Sequence, residues 1–211
     1  MLGGRDAADA ALESGTPHAG ITETAARVGA AVVVVGHGAT ALRVARAAEC
    51  PVLVVRPSPA TGDVIGATDF SDPAPPAVHL AADESRLRGV GLRLLHSLEL
   101  DEASALAAAS LGGMMPIPLL PESVSREYEA DARARLEHAM TDVGATGQAI
   151  VVRGRPAAAI VAAAGAPAAA LVVVGTRGRS GLSRLMLGSV AEDVVSRAPC
   201  SVLVVPLHPD A

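Results

Sequence analysis

An open parallel α/β sheet covered by helices on both faces is the fold class this 211-residue sequence predicts, and three observations predict it. Short runs of Val, Leu and Ile recur without the polar alternation of a half-exposed strand, as expected for strands buried on both faces. Between them lie Ala-rich segments with apolar residues at helical spacing, so strand and helix alternate. The third observation is an internal repeat: residues 12–36, shifted by 139 positions, fall on residues 151–175 without a gap, with 11 of 25 positions identical. The matches include Gly15 with Gly154, Pro17 with Pro156, Ile21 with Ile160, and a shared VVVG. Past Gly36 the copies differ by eleven residues, then realign where CPVLVV, starting at Cys50, meets CSVLVV, starting at Cys200. Alanine bias does not produce agreements of glycine, proline and terminal strand, so the chain reads as a duplication.

The first copy supplies strands at 32–35 and Val52–Val55 and nothing to precede them, so residues 1–57 read as a truncated half-domain. Residues 58–62 read as a linker, and 63–207 as a complete five-strand unit. In that unit Val64–Ala67 is a short apolar strand. Ser71, Asp72 and Pro73 mark a helix start, combining capping side chains with a proline in the first turn. Val78, Ala81, Ala82 and Ser85 give that helix its apolar face. Residues 91–96 form the second strand. Residues 101–121, Ala-rich and then GGMMPIPLLP, read as a mobile insertion. An amphipathic helix follows, with Val124, Tyr128, Ala132, Leu136, Met140 and Val143 at helical spacing. Strand 148–152, helix 156–164, strand 171–174, a long loop, helix 190–196 and strand Ser201–Val205 complete the alternation.

Composition excludes several chemistries. All 17 basic residues are arginine, lysine and asparagine are absent, and alanine fills 44 positions. No Walker-type phosphate-loop lysine, Schiff-base lysine or Ser-Lys dyad can exist here. Phe70 and Tyr128 are the only aromatics, and the net charge is −5, which argues against a nucleic-acid partner. Residues 157–174 form an uncharged apolar stretch, but Gly165 and Pro167 interrupt it and its repeat copy carries Glu23 and Arg27, so no membrane span is expected. The N-terminal MLGGRDAADA has no apolar signal region, which makes a cytoplasmic location the expectation. Cys50 and Cys200 read as buried free thiols. The six histidines lack zinc-site spacing and read as surface or loop residues, and Arg133 and Arg135 as a solvated helix face.

The most specific signal is VVVGTRGRSGLSRLMLGSVAED. Gly175, Gly178 and Gly188 are spaced G-x2-G-x9-G, with Ser189 immediately after. Glycines at a strand's C-terminal end let the backbone approach an anion, and a helix starting near Val190 aims its free N–H groups at the same place. Arg177, Arg179 and Arg184 are the only charges up to Ser189, so the loop is cationic. Ser189 followed by Glu192 is equally readable as a capping box that satisfies a helix end with no ligand. A second loop, Thr68-Asp69-Phe70-Ser71, follows the first strand of the complete unit. In an open parallel sheet an acid in such a position can accept hydrogen bonds from ribose hydroxyls, although a loop aspartate also serves as a plain turn residue.

With ATDFSDPA at its start, GTRGRSGLSRLMLGS near its end and APCSVLVVP closing it, the stretch 62–206 resembles a universal stress protein domain of the ATP-binding branch, and residues 12–55 resemble the back half of a second. The resemblance implies a Rossmann-like sheet ordered 3-2-1-4-5, similar to the adenine nucleotide alpha hydrolases. It implies that Asp69 meets the ribose or adenine, that Ala67 and Thr68 line the base, and that the backbone at Ser97 reads adenine where the family usually has valine. It places the phosphates on Val174, Gly175, Arg177, Gly178, Gly188, Ser189 and Val190. In the first copy Gly36 aligns with Gly175, but Ala39 replaces Gly178 and the loop is mostly missing, so one nucleotide per chain is expected.

The resulting expectation is an ATP-, ADP- or AMP-binding regulatory module, with Mg2+ as the phosphates' companion, rather than an efficient catalyst. A hydrolase must position a water, and Glu192, the nearest acid, reads as engaged in capping. The alternatives are a weak ATPase or adenylate-forming enzyme, and a ligand-free structural pseudo-dimer. Family members pair their last strands antiparallel, and this chain has two such strands. A homo-oligomer or an intrachain pseudo-dimer through Val52–Val55 and Ser201–Val205 is therefore expected, with Cys50 and Cys200 too far apart for a disulfide.

Overall fold

The computed structural model describes residues 9–57, 61–71, 76–99, 122–165, 169–176 and 187–206. Along the chain these form α1 (Pro17–Val28), β1 (Val33–Gly36), α2 (Ala39–Ala47), β2 (Val52–Val55), β3 (Val64–Ala67) and α3 (Pro76–Arg88). Then follow β4 (Leu92–Leu98), α4 (Glu122–Asp142), β5 (Gly147–Arg153), α5 (Pro156–Gly165), β6 (Leu171–Gly175), α6 (Ser189–Arg197) and β7 (Ser201–Val205). The start of α3 at Ser71-Asp72-Pro73 and the 101–121 insertion fall wholly or mostly outside the described residues. No helix among the described residues is long and apolar enough to cross a membrane.

All seven strands share one sheet, ordered β1-β2-β7-β6-β3-β4-β5. Counted within the complete unit, that order is 5-4-1-2-3. Every neighbouring pair is parallel except β2 with β7, which is antiparallel. Helices lie on both faces of the β3–β7 part of the sheet, as uninterrupted apolar strands require, whereas one face of β1 and β2 is left open. On one face α1, α2, α5 and α6 pack over Ile65, Val172, Val202 and Val204. On the other, α3 and α4 pack over Val64, Leu94, Leu171 and Val173. The Val78, Ala81, Ala82 and Ser85 stripe of α3 is buried as its spacing predicts. Helix α3 comes so close to the sheet that a Cβ at Gly66 would lie 2.7 Å from Leu94 Cδ2 and 2.9 Å from Ala81 Cβ.

The β2–β7 register carries the symmetry of the repeat. Leu53 lies opposite Leu203, its own equivalent in CPVLVV and CSVLVV, and Val52 opposite Val204 mirrors Val54 opposite Val202. A local twofold axis therefore passes through the Leu53–Leu203 pair, and the two copies join in cis as the halves of an isologous dimer would. Arg56, just beyond β2, reinforces the join. Its main-chain N–H donates to Ser201 Oγ at 3.1 Å, and its guanidinium donates to the carbonyls of Ala198 (2.6 Å) and Ser196 (3.0 Å) at the C-terminal end of α6.

Three expectations need correction. Tyr128 is 51% exposed, and the buried stripe of α4 is Ser125, Ala132, Leu136 and Met140, with the half-buried Glu129 rather than Tyr128 on it at the intervening turn. His96 is a buried strand residue, not a surface one, because its ring packs against Phe70. Cys50 is only half-buried, whereas Cys200 is buried.

Both cysteines are free, and the antiparallel register sets them beyond opposite ends of the strand pair. Burial pushes the Cys200 thiol above its ordinary range, so little nucleophilic thiolate forms there. In native protein at pH 8, Ellman's reagent is expected to modify Cys50 first, with Cys200 slower by more than about tenfold until the chain is unfolded.

Candidate functional site

The chain leaves β3 through α3 to reach β4 on one side, and returns from β5 through α5 to β6 on the other side of β3. The winding thus reverses between β3 and β6, and the crevice beyond their carboxyl ends is where open α/β sheets bind ligands. Val64, Ile65 and Gly66 pair in register with Leu171, Val172 and Val173, so the loops after Ala67 and Gly175 open side by side.

On the β3 side Ala67, Thr68 and Asp69 are half-buried. The N–H of Thr68 continues the ladder by donating to the Leu95 carbonyl at 3.0 Å. Its Oγ1 accepts from the Phe70 N–H at 3.1 Å, and Asp69 Oδ1 accepts from the Ser71 N–H at 3.0 Å. Asp69 therefore folds its own turn, which accounts for one of its carboxylate's acceptor positions. On β4, Ser97 donates its hydroxyl to the Gly154 carbonyl at 2.6 Å, tying β4 to the start of α5.

On the β6 side Val174 is buried in the α5–α6 face of the core, so any contact from it is a main-chain one. Gly175 is half-buried at the strand end. The next residue, Thr176, accepts at its carbonyl from the Gly188 N–H at 2.7 Å, closing the base of the loop. Arg177 and Gly178, with Arg179 and Arg184, lie outside the described residues. Gly188 is the N-cap of α6, with φ −62° and ψ 150°; Ser189 is exposed and Val190 half-buried at the helix start.

The capping box anticipated for Ser189 and Glu192 does not form. Gly188 holds the cap position, and no side-chain hydrogen bond caps this end. Glu192 instead pairs with Arg46 of α2 at 2.6 Å, across the junction of the two copies. The first N–H groups of α6 thus stand without a side-chain acceptor beside the crevice, as an anion site requires.

The sequence did not single out the group behind the Asp69 loop. Phe70 has φ 58°, His96 Nδ1 donates to the Thr68 carbonyl at 2.8 Å, and the Phe70 and His96 ring centroids are 4.3 Å apart. Arg135 of α4, read as a solvated residue, stands 4.1 Å from the Phe70 centroid. Only the rarity of phenylalanine in this chain hinted at it. No cluster of His, Cys, Asp or Glu among the described residues could hold a metal.

The universal stress protein family model matches residues 62–206. The chain belongs to the universal stress protein family. A universal stress protein from Thermus aquaticus, encoded in the QAH/OAS sulfhydrylase 3' region, is 34% identical over 143 residues, covering 67% of this chain and 96% of that protein. Universal stress protein Rv2005c of Mycobacterium tuberculosis is 31% identical over 176 residues, covering 79% of this chain but 55% of its own length. Among solved structures, a universal stress protein from Archaeoglobus fulgidus DSM 4304 matches with a TM-score of 0.65 at 21% identity, over 92% of this chain and 67% of that one. At that identity the structural match shows the fold.

Because Ser189 makes no capping bond, Ser189→Ala is expected to change stability by less than about 0.5 kcal/mol in urea denaturation, where loss of a true cap costs roughly 0.5 to 2 kcal/mol.

Proposed function

We propose that this universal stress protein is an adenine-nucleotide-binding regulatory module, with one site per chain, in the complete unit spanning 63–207. The observation that carries the reading is the placement of two loops at one switch point: Asp69 after β3, and Gly175, Gly188 and the uncapped start of α6 after β6. An acid for ribose hydroxyls beside main-chain N–H groups for phosphates suits a nucleotide better than either ligand fragment alone. The adenine preference rests on the resemblance to the ATP-binding branch. With no lysine in the chain, phosphate charge falls to backbone dipoles, Ser189 and the arginines of the loop, Arg177 foremost. Mg2+ bound with ATP would neutralise phosphate charge in the same place.

The partial copy, residues 1–57, supports a structural role. Only His37 and Gly38 separate β1 from α2, whereas thirteen residues, 176–188, separate β6 from α6. A two-residue connection leaves no loop to surround a phosphate chain. β2 occupies the β7 edge within the chain, which favours the intrachain pseudo-dimer over pairing of last strands between chains. No described acid beside the α6 start is placed to activate a water: Glu192 is engaged with Arg46, and Asp69 holds its own turn. Binding without rapid turnover is the corresponding reading.

Thermal denaturation with ATP, ADP, AMP and GTP tests it. A nucleotide at a hundred times its Kd adds about 2.7 kcal/mol, or roughly 5 to 10 °C for a chain of this size. We expect that shift with adenine nucleotides, a smaller one with GTP, and none in Gly188→Val or Asp69→Ala. Silence of the unmodified protein toward every adenine nucleotide would favour a ligand-free pseudo-dimer. Robust ATP turnover lost in Arg177→Ala and Gly188→Val would make the protein an enzyme instead.

A further inference from the structure

Phe70 is the one non-glycine residue among those described with a positive φ, 58°. A side chain in the left-handed region is strained, a bulky one especially, and glycine is the residue that ordinarily takes such a position. A phenylalanine persists there only where its surroundings hold it. Two elements do so. His96 of β4 places its ring 4.3 Å from that of Phe70, tilted by 36°, and donates from Nδ1 to the Thr68 carbonyl at 2.8 Å. Arg135 of α4 sets its guanidinium carbon 4.1 Å from the centroid of the same ring, within cation–π range. Asp69 sits between the two held residues, its carboxylate closing the turn onto the Ser71 N–H.

We propose that Phe70, His96 and Arg135 form a positioning device for the ribose-binding side of the site, holding Asp69 in its ligand-ready place before a nucleotide arrives. This rests on the nucleotide reading above. The left-handed residue turns the chain directly after Asp69, so its dihedral angle fixes where the carboxylate stands. The ring is what lets β4 and α4 enforce that angle. A glycine would accept the same φ but give neither His96 nor Arg135 anything to grip, and the loop would sample other conformations. The binding free energy would then have to cover the ordering of the loop. Phe70 is a positioning residue in this scheme and touches no ligand itself. Arg135, the exposed member, links α4 to nucleotide binding.

Calorimetric titration with two probes separates positioning from plain structural support. ATP engages both loops, whereas inorganic tripolyphosphate engages only the glycine-loop side. Phe70→Gly is expected to weaken ATP binding by about tenfold or more while leaving tripolyphosphate affinity unchanged. Phe70→Tyr should restore ATP affinity to within about twofold, and Arg135→Gln should give an intermediate loss, about threefold. Unchanged ATP affinity in Phe70→Gly overturns the proposal, as does an equal loss for both probes, which would make the stack merely structural. Failure of the unmodified protein to bind ATP would instead sink the nucleotide reading itself.

Discussion

The parallel pairing of β3 with β6 is the constraint on which the rest of this molecule depends. Their connections run off in opposite directions, α3 on one face and α5 on the other, so no crossover helix closes the seam beyond their carboxyl ends. The ladder brings two loops that are far apart in sequence to the same edge, one acidic and one rich in glycine. The start of α6 lies at that edge without a capping side chain. A helix end with free N–H groups is costly beside an apolar core unless water or an anion meets it. That requirement is what the proposed phosphate-binding role of this helix start would meet.

The second organising contact is the antiparallel pairing of β2 with β7, which joins β1 and β2 to the other five strands in a single sheet. Because Leu53 faces its own equivalent Leu203, the junction obeys the rule of a symmetric dimer while lying within one chain. The symmetry stops there. Val173 of β6 is fully buried under α3, yet Val34 at the matching place in β1 is 59% exposed, because the N-terminal segment supplies no counterpart to β3 and α3. Arg46 and Arg56 from this partial copy reach α6 from the side, Arg46 to Glu192 and Arg56 to the last carbonyls of the helix. The Arg46–Glu192 pair is exposed and contributes at most about 1 kcal/mol, but it removes Glu192 from the helix cap. The N-terminal segment thus reaches the α6 start region through one side chain.

Much of this was legible in the sequence, and the misses share a cause. Apolar runs located Val52–Val55, Val64–Ala67 and Ser201–Val205 to the residue, because each is an unbroken apolar run bounded by turn residues, although one face of Val52–Val55 is left partly open. The resemblance to a family that pairs its last strands antiparallel, together with two such strands in one chain, implied the junction of β2 with β7. Long-range partners were not legible. Ser189 and Glu192 satisfy the local rule for a capping box, and nothing nearby shows that Arg46, 146 residues away, takes the carboxylate. His96 looked like an ordinary polar residue because its burial depends on a phenylalanine in a left-handed turn. Tyr128 kept a helical spacing on α4 but stands one position off the stripe that the fold buries, which runs from Ser125 past the half-buried Glu129 to Ala132.

Amide chemical shifts of the full chain, followed as ATP is added, test the central claim most directly, because they show where a ligand sits as well as whether it binds. The predicted result is saturable perturbation of Ala67, Thr68, Asp69, Ser97, Gly175 and the Gly188–Val190 helix start, with Gly36, His37 and Gly38 of the partial copy unmoved. Perturbation centred on the β1–α2 turn, or no perturbation at the seam between β3 and β6, would contradict it.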